Sequence, residues 1–182
     1  MGLVSIVARE DFISLVTDYG THQKVDDIRF KELIPDTAVI AYSGDEEYAM
    51  MTASAAESLV MQGFSLKELA ESIQSSINDL TLMLDGQPFE AVVAGYSQTG
   101  EAQYHVISNI KPLESYYPRT GESLYYVNGH ESMIVLEKSL KMYGMGTVDQ
   151  AQAAQIHLLQ EASKFIPNVH TNASSHVLKK AN

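Results

Sequence analysis

The sequence predicts an α+β protein built as a four-layer αββα sandwich, with two sheets packed on each other between two helix pairs. The predicted elements run as strands, two helices, strands, two helices and a weak last strand, whereas simple βαβ winding would alternate strands with single helices. The first two strands are apolar at nearly every position, which is typical of strands covered on both faces. The chain has 182 residues without a repeat or linker, so a single domain over 1–182 is predicted.

The first third of the chain contains the predicted strands that open the fold. Residues 3–8 (LVSIVA) and 12–17 (FISLVT) flank a short polar turn and predict a β-hairpin. Residues 29–34 predict a short strand that ends before a proline. Residues 37–43 (TAVIAYS) predict a further strand, which stops at Gly44.

Two consecutive helices are predicted next. Asp45 is placed to cap the first helix, which is predicted to run to Met61, with Gly63 as its C-terminal stop signal. Ser65 and Glu68 have the spacing of a capping box at the start of the second helix. The apolar residues at helical spacing in this second helix are Leu66, Leu69, Ile73, Ile77, Leu80 and Leu84.

The second half of the chain repeats the order of strands followed by a helix pair. Its predicted elements are strands over 89–96, 102–110 and 124–127, helices over 130–143 and 147–165, and a weak strand near the C-terminus. The stretch before the third of these strands contains Pro112, Pro118 and Gly121 and is predicted as a loop.

Composition restricts the classes of function. The formal net charge is -11 and the pI is about 4.8, which argues against nucleic acid and anionic membranes as partners. There is no cysteine, so disulfides, thiolate catalysis and cysteine-based zinc sites are excluded. These features, with no apolar run of membrane-spanning length, predict a cytoplasmic protein.

Four stretches of the chain carry a common pattern. They are LVSIVAREDFISLVTDYGT, RFKELIPDTAVIAYSGDEEYA, FEAVVAGYSQTGEAQYHVI and YYVNGHESMIVLEKSL. In order and spacing they resemble proteasome β-type subunits and their bacterial relatives, within the N-terminal-nucleophile (Ntn) hydrolases. The resemblance implies the αββα fold, self-association through the helix layers into a homo-oligomer, and a peptide or small amide as ligand. No cofactor and no metal are predicted.

The resemblance also implies a catalytic arrangement. In such enzymes an N-terminal Thr, Ser or Cys attacks an amide carbonyl, and its own α-amine serves as the base. Asp18 matches the aspartate that holds a basic residue beside this nucleophile. Arg29 falls where the family has lysine, with Lys24 and Lys31 as nearby alternatives. Arginine departs from the pattern because its guanidinium stays protonated and cannot share a proton with a hydroxyl.

The nucleophile position itself maps to Gly2, the residue exposed when the initiator methionine is removed. Glycine has no side chain and cannot attack a carbonyl. Ser43 and Gly44 map to the junction whose backbone N–H would stabilise the oxyanion.

A supporting loop completes the implied site. Asn128 and Gly129 map to a loop that is rich in Ser and Gly in the family, with asparagine standing in place of serine. The family's late aspartate has no certain counterpart, and Asn168 and Asn172 are the polar candidates.

Each candidate also has a purely structural interpretation. For Asp18, a role in capping a turn and pairing with Arg29 is favoured over catalysis by roughly two to one. Ser5 is the nearest hydroxyl that processing could expose, but its exposure would delete part of a strand, so an ordinary strand residue is predicted. Thr17 and Thr21 are predicted to be strand or turn residues.

The histidines do not have the spacing of a metal site. No HExxH pattern is present, and no carboxylate completes a ligand set near the two histidines of the tail. Surface or hydrogen-bonded histidines are predicted. The six are His22, His105, His130, His157, His170 and His176.

Three hypotheses for function follow. The leading one is a proteasome-subunit-like Ntn protein without peptidase activity, acting through assembly or ligand binding. The second is an active Ntn peptidase or amidohydrolase, with a nucleophile exposed by processing or placed one residue away. The third is a small-molecule binding module that uses the cleft around Asp18, Arg29 and Ser43.

Overall fold

Two antiparallel sheets and four helices form the part of the chain that the computed structural model describes, residues 2–18, 30–44, 46–80, 88–167 and 169–181. The strands are β1 (Val4–Ala8), β2 (Phe12–Asp18), β3 (Phe30–Ile34), β4 (Ala38–Ser43), β5 (Glu90–Tyr96), β6 (Ala102–Ser108), β7 (Glu114–Tyr116), β8 (Leu124–Val127) and β9 (Ala173–Lys179). The helices are α1 (Glu46–Met61), α2 (Leu66–Leu80), α3 (His130–Tyr143) and α4 (Val148–Ala162). The predicted α+β class is confirmed.

The strands pair with their neighbours in two separate ladders. The first sheet has the order β8-β1-β2-β9 and the second sheet the order β3-β4-β5-β6-β7, with every pairing antiparallel. The predicted opening hairpin is present, since Val4 pairs with Thr17 and Ala8 with Ile13. This pairing fixes the start of β1 beside the end of β2.

Side-chain alternation explains why β1 and β2 are apolar throughout. Ile6 and Leu15 belong to an apolar cluster that also contains Val39 and Val92 of the second sheet. Val7, on the opposite face of β1, belongs to a second cluster with side chains of α3 and α4. The prediction that both faces of these strands are covered is confirmed.

The other face of the second sheet is covered by the first helix pair. Ile40 and Val93 share a cluster with apolar side chains of α1 and α2, and with Phe89. The predicted capping box at the start of α2 is present, because the Ser65 N–H and hydroxyl both donate to the Glu68 carboxylate, at 2.9 and 2.7 Å. These two hydrogen bonds lower the pKa of Glu68. Within the described residues, no helix is long and apolar enough to cross a bilayer.

The structure corrects three of the predicted elements. The stretch predicted as a loop contains β7, whose Tyr116 stacks on Tyr104 of β6 with ring centroids 4.6 Å apart. Local pattern misses such a strand because it has only three residues and two are polar.

The last helix ends at Ala162 rather than 165, three residues before Phe165. The tail forms a full seven-residue strand along β2. The predicted extension of α2 beyond residue 80 lies outside the described residues.

A buried histidine makes stability depend on pH. His105 in β6 is fully buried, and its ring nitrogens lie 2.9 Å from the Ser115 hydroxyl and 3.1 Å from the Gln103 side-chain oxygen. Burial, and secondarily the charge of Lys67, lowers the pKa of His105 from 6.5 to about 4. The folded state therefore favours neutral imidazole, and the unfolded chain binds more protons between these two values.

The contribution of neutral His105 to the free energy of unfolding is thus expected to be fully present above pH 6.5 and to be lost as the pH drops toward 4. The contribution of His105 lost between roughly pH 7 and pH 5 is about 2 kcal/mol. Urea unfolding at several pH values measures it. The variant His105→Gln lacks the titrating ring, so its stability should fall by about 2 kcal/mol less over the same range. Equal pH dependence in both proteins would contradict the assignment.

Candidate functional site

The start of β1 is held at one end of the two sheets by Asn128, the residue that follows β8. The Asn128 side-chain oxygen accepts a hydrogen bond from the Val4 N–H at 2.8 Å. Its amide nitrogen donates to the Gly2 carbonyl at 2.9 Å and to the Ser43 hydroxyl at 3.1 Å. Because Ser43 ends β4, this one buried side chain ties the first sheet to the second.

Asp18 holds the same segment from the other side. Its carboxylate accepts the Leu3 N–H at 2.7 Å and the His170 N–H at 3.3 Å. The Asp18 N–H donates to the Leu3 carbonyl at 3.2 Å. The Asp18 side chain is completely buried, so this carboxylate organises the backbone at the start of β1 and at His170, before β9.

Two glycines place these side chains. Gly44 follows Ser43 with a φ of +120°, and a Cβ built there would lie 2.9 Å from the Pro88 carbonyl oxygen. Gly129 follows Asn128 with a φ of +88° and precedes the first residue of α3. Both backbone conformations favour glycine, so these positions have a geometric role beside the site.

Not every predicted site residue falls within the described part of the chain. Gly2, Asp18, Ser43 and Asn128 are brought together, with Gly44 and Gly129 next to them in sequence. Lys31 pairs with Glu57 of α1 at 2.7 Å. Asn172 is exposed. The candidates that lie outside the described residues are Thr21, His22, Lys24, Arg29, Asp45 and Asn168.

Three described hydroxyls near this segment, those of Ser43, Ser5 and Thr17, are buried and are not placed as accessible nucleophiles. Ser43 is 1% exposed and accepts the hydrogen bond from Asn128. Ser5 lies within β1, fully buried, with its hydroxyl 3.2 Å from the Gln155 amide nitrogen. Thr17 is also fully buried, and its hydroxyl has no hydrogen-bond partner among the described residues. The arrangement can hold a backbone segment, but its described side chains offer no free attacking group.

A second polar link between the sheets was not predicted. Glu90 pairs with Ser43 across β4 and β5, and its carboxylate accepts the Tyr126 hydroxyl at 2.8 Å. Lys111 lies 3.6 Å from the other carboxylate oxygen. Burial and the charge of Glu90 raise the pKa of Tyr126, which therefore stays a neutral donor. The only local signal was an isolated acid in the apolar strand FEAVVAGY, and it does not identify the partner.

The side chains of three described histidines, His105, His157 and His176, have protein partners, and a fourth histidine lies exposed. His157 lies 2.9 Å from the Ser139 hydroxyl and 3.9 Å from Glu161, and His176 lies 3.4 Å from Glu32. His130 is exposed. Within the described ranges, no three His, Asp or Glu side chains are grouped so that they could hold a metal ion.

Comparison with known proteins adds no family to this geometry. The chain matches no protein-family model, and a comparison with curated proteins gives no significant match. Fold and site together define an α+β protein with two antiparallel sheets joined at one end by Asn128, Ser43, Tyr126 and Glu90. The resemblance to the Ntn hydrolases stays a prediction from the sequence.

Proposed function

We propose that this protein is a proteasome-subunit-like member of the Ntn fold class that lacks peptidase activity and acts through self-assembly or ligand binding. One observation carries the proposal. The residue tied into the end of the two sheets beside Asp18, Asn128 and Ser43 is Gly2, which has no side chain. The ligand expected at this end is a peptide or small amide.

The apolar clusters support a four-layer αββα arrangement. One cluster contains side chains of both sheets, a second joins the second sheet to α1 and α2, and a third joins the first sheet to α3 and α4. An order of helix pair, sheet, sheet and helix pair accounts for all three. This is the arrangement that the resemblance implies.

The polar groups around Gly2 serve the backbone. Ntn chemistry needs an attacking hydroxyl or thiol next to a free α-amine. The Asp18 carboxylate accepts the N–H groups of Leu3 and His170, and the Asn128 amide is shared between Gly2, Val4 and Ser43. These contacts favour a site that fixes structure over one that performs hydrolysis.

The active alternative requires a new N-terminal nucleophile. Processing at Ser5 would remove the segment 2–4, which makes the hydrogen bonds to Asp18 and Asn128. It would also expose a hydroxyl that now lies against Gln155. The contacts of this segment therefore favour the inactive form.

Covalent labelling tests the proposal on the full chain. The purified protein is incubated with β-lactone and epoxyketone probes, and intact mass and N-terminal sequence are measured before and after. We expect no added mass. A label on the N-terminal residue, or a mature chain that begins at Ser or Thr, would overturn the proposal. A Ser5→Ala variant identifies the source, since it abolishes labelling that depends on processing at Ser5.

Self-association is proposed to use the helix faces. Met61 of α1 is 86% exposed and Met142 of α3 is 67% exposed. Other large apolar side chains exposed on helices are Met50, Met51, Ile134 and Ile156. A contiguous patch of such side chains is typical of a surface that becomes covered on association. Sedimentation velocity at micromolar concentration should give a species heavier than the 20.0 kDa chain, and a monomer alone would contradict this.

A further inference from the structure

A groove of about 390 Å³ lies between α1 and α2, with Phe89 among its lining residues. This volume is in the range of small-molecule sites, which is about 300–1,000 Å³. Tyr48 and Met51 line it from α1, and Ile73 and Ile77 line it from α2. Gly2, Asp18 and Asn128 are not among its lining residues, so the groove is separate from the site at the start of β1.

The lining of the groove has an unusual chemistry for this protein. None of the lining residues that the structure describes carries a charge, although the chain has a formal net charge of -11. The apolar surface is accompanied by hydroxyl groups, which come from Tyr48, Thr52, Ser58, Ser72 and Ser76. A charged ligand would lose its hydration in such a groove without gaining a partner of opposite charge. An uncharged molecule would bury apolar area and keep a hydrogen bond.

Thr52 supplies the second observation. It is only 8% exposed, and its hydroxyl makes no hydrogen bond within the part of the chain that the structure describes. Ser72 on the facing helix also lines the groove and is partly exposed. A polar group that the protein encloses nearly always has a hydrogen-bond partner. A ligand with a hydroxyl, carbonyl or N–H group would satisfy Thr52.

We propose that the groove between α1 and α2 binds a small uncharged molecule with an aromatic or aliphatic body and one hydrogen-bonding group directed at Thr52. Tyr48 provides aromatic surface for the body of the ligand, and Phe89, which is 1% exposed, lines the groove behind it. The groove shares Met51 with the helix face proposed above for self-association, and the probe titration and sedimentation velocity distinguish the two proposals.

Fluorescence titration of the full chain with N-phenyl-1-naphthylamine tests the site. This probe is neutral and aromatic, has one N–H group, and becomes brighter in apolar surroundings. We expect a saturable increase with one probe bound per chain. Ala55, an exposed residue that lines the groove, is replaced by tryptophan to fill it, and Ala55→Trp should weaken binding by about tenfold or more.

Two further variants make the test specific. Ser54→Trp adds the same side chain at an exposed neighbouring position of α1 that does not line the groove, and it should bind as the wild type does. Thr52→Val keeps the shape of the side chain without its hydroxyl, and should weaken binding by about 2- to 10-fold. Circular dichroism and thermal melting establish that each variant is folded.

Three results would overturn the proposal. The first is equal binding by Ala55→Trp and the wild type, and the second is equal loss of binding in Ser54→Trp and Ala55→Trp. The third combines two observations: the wild type binds no probe, and sedimentation velocity shows that Ala55→Trp converts an oligomer into monomers. That result would assign the groove to a second copy of the chain.

Discussion

Replacing Gln155 with leucine is expected to lower the free energy of unfolding by about 3 kcal/mol, because several buried polar groups lose their partner at once. Gln155 is fully buried in α4. Its side-chain oxygen accepts the Ser14 hydroxyl at 2.7 Å, and its nitrogen donates to the Ser5 carbonyl at 3.0 Å and the Ser5 hydroxyl at 3.2 Å. A further contact reaches the Ser14 carbonyl at 3.3 Å. Leucine fills a similar volume but offers no hydrogen bond.

Urea unfolding of the purified variants measures this loss. Gln160→Leu is the matched control, since Gln160 is exposed on the same helix, and it should change stability by less than about 0.5 kcal/mol. Replacing Ser5 and Ser14 by alanine in the Gln155→Leu background removes the unpaired hydroxyls and should restore part of the lost stability. A Gln155→Leu variant as stable as the Gln160→Leu control would contradict the role of this network.

Replacing Asn128 with alanine is also expected to lower the free energy of unfolding by about 3 kcal/mol, because it breaks the link between the two sheets. The substitution removes the acceptor of the Val4 N–H and the donor to Gly2 and Ser43. The Val4 N–H and the Gly2 carbonyl would then be buried without that partner. The start of β1 should open first, because Asn128 connects this segment to the second sheet.

Hydrogen exchange locates the effect of the Asn128→Ala substitution. The amides of Leu3 and Val4 should exchange faster in the variant through local opening. Amides in the middle of β5 exchange only on global unfolding, so their exchange should speed up only as much as the lower global stability requires. Asn172→Ala is the control, because Asn172 is exposed and its replacement should be neutral. Unchanged exchange at Leu3 and Val4 in Asn128→Ala would contradict the proposed tie.

The site was only partly predictable. Asp18, Ser43 and Asn128 were selected by resemblance, and the structure does bring them to Gly2. Of these three, only Asp18 is predicted from the sequence to have a structural role, and Arg29, its predicted partner, lies outside the described residues. The link between Tyr126 and Glu90 was missed, because a single tyrosine and a single glutamate in separate strands carry no spacing pattern.

Gln155 was missed for the same reason. It is one of several glutamines in α4, and local sequence cannot distinguish the buried one from exposed Gln160. Its partner Ser5 lies 150 residues away, a separation at which no helical or strand periodicity carries information. Only the packing of α4 on the first sheet selects this glutamine for the interior.

The sequence by itself determined the opening hairpin, the two helix pairs and the capping box at Ser65, because hydrophobic periodicity and capping are local properties of the chain. The tertiary structure alone decided the pairing of β9 with β2, the existence of β7 and the contact of Asn128 with Ser43. Those features depend on which distant segments come together to bury apolar surface and satisfy polar groups. A local pattern does not contain that information.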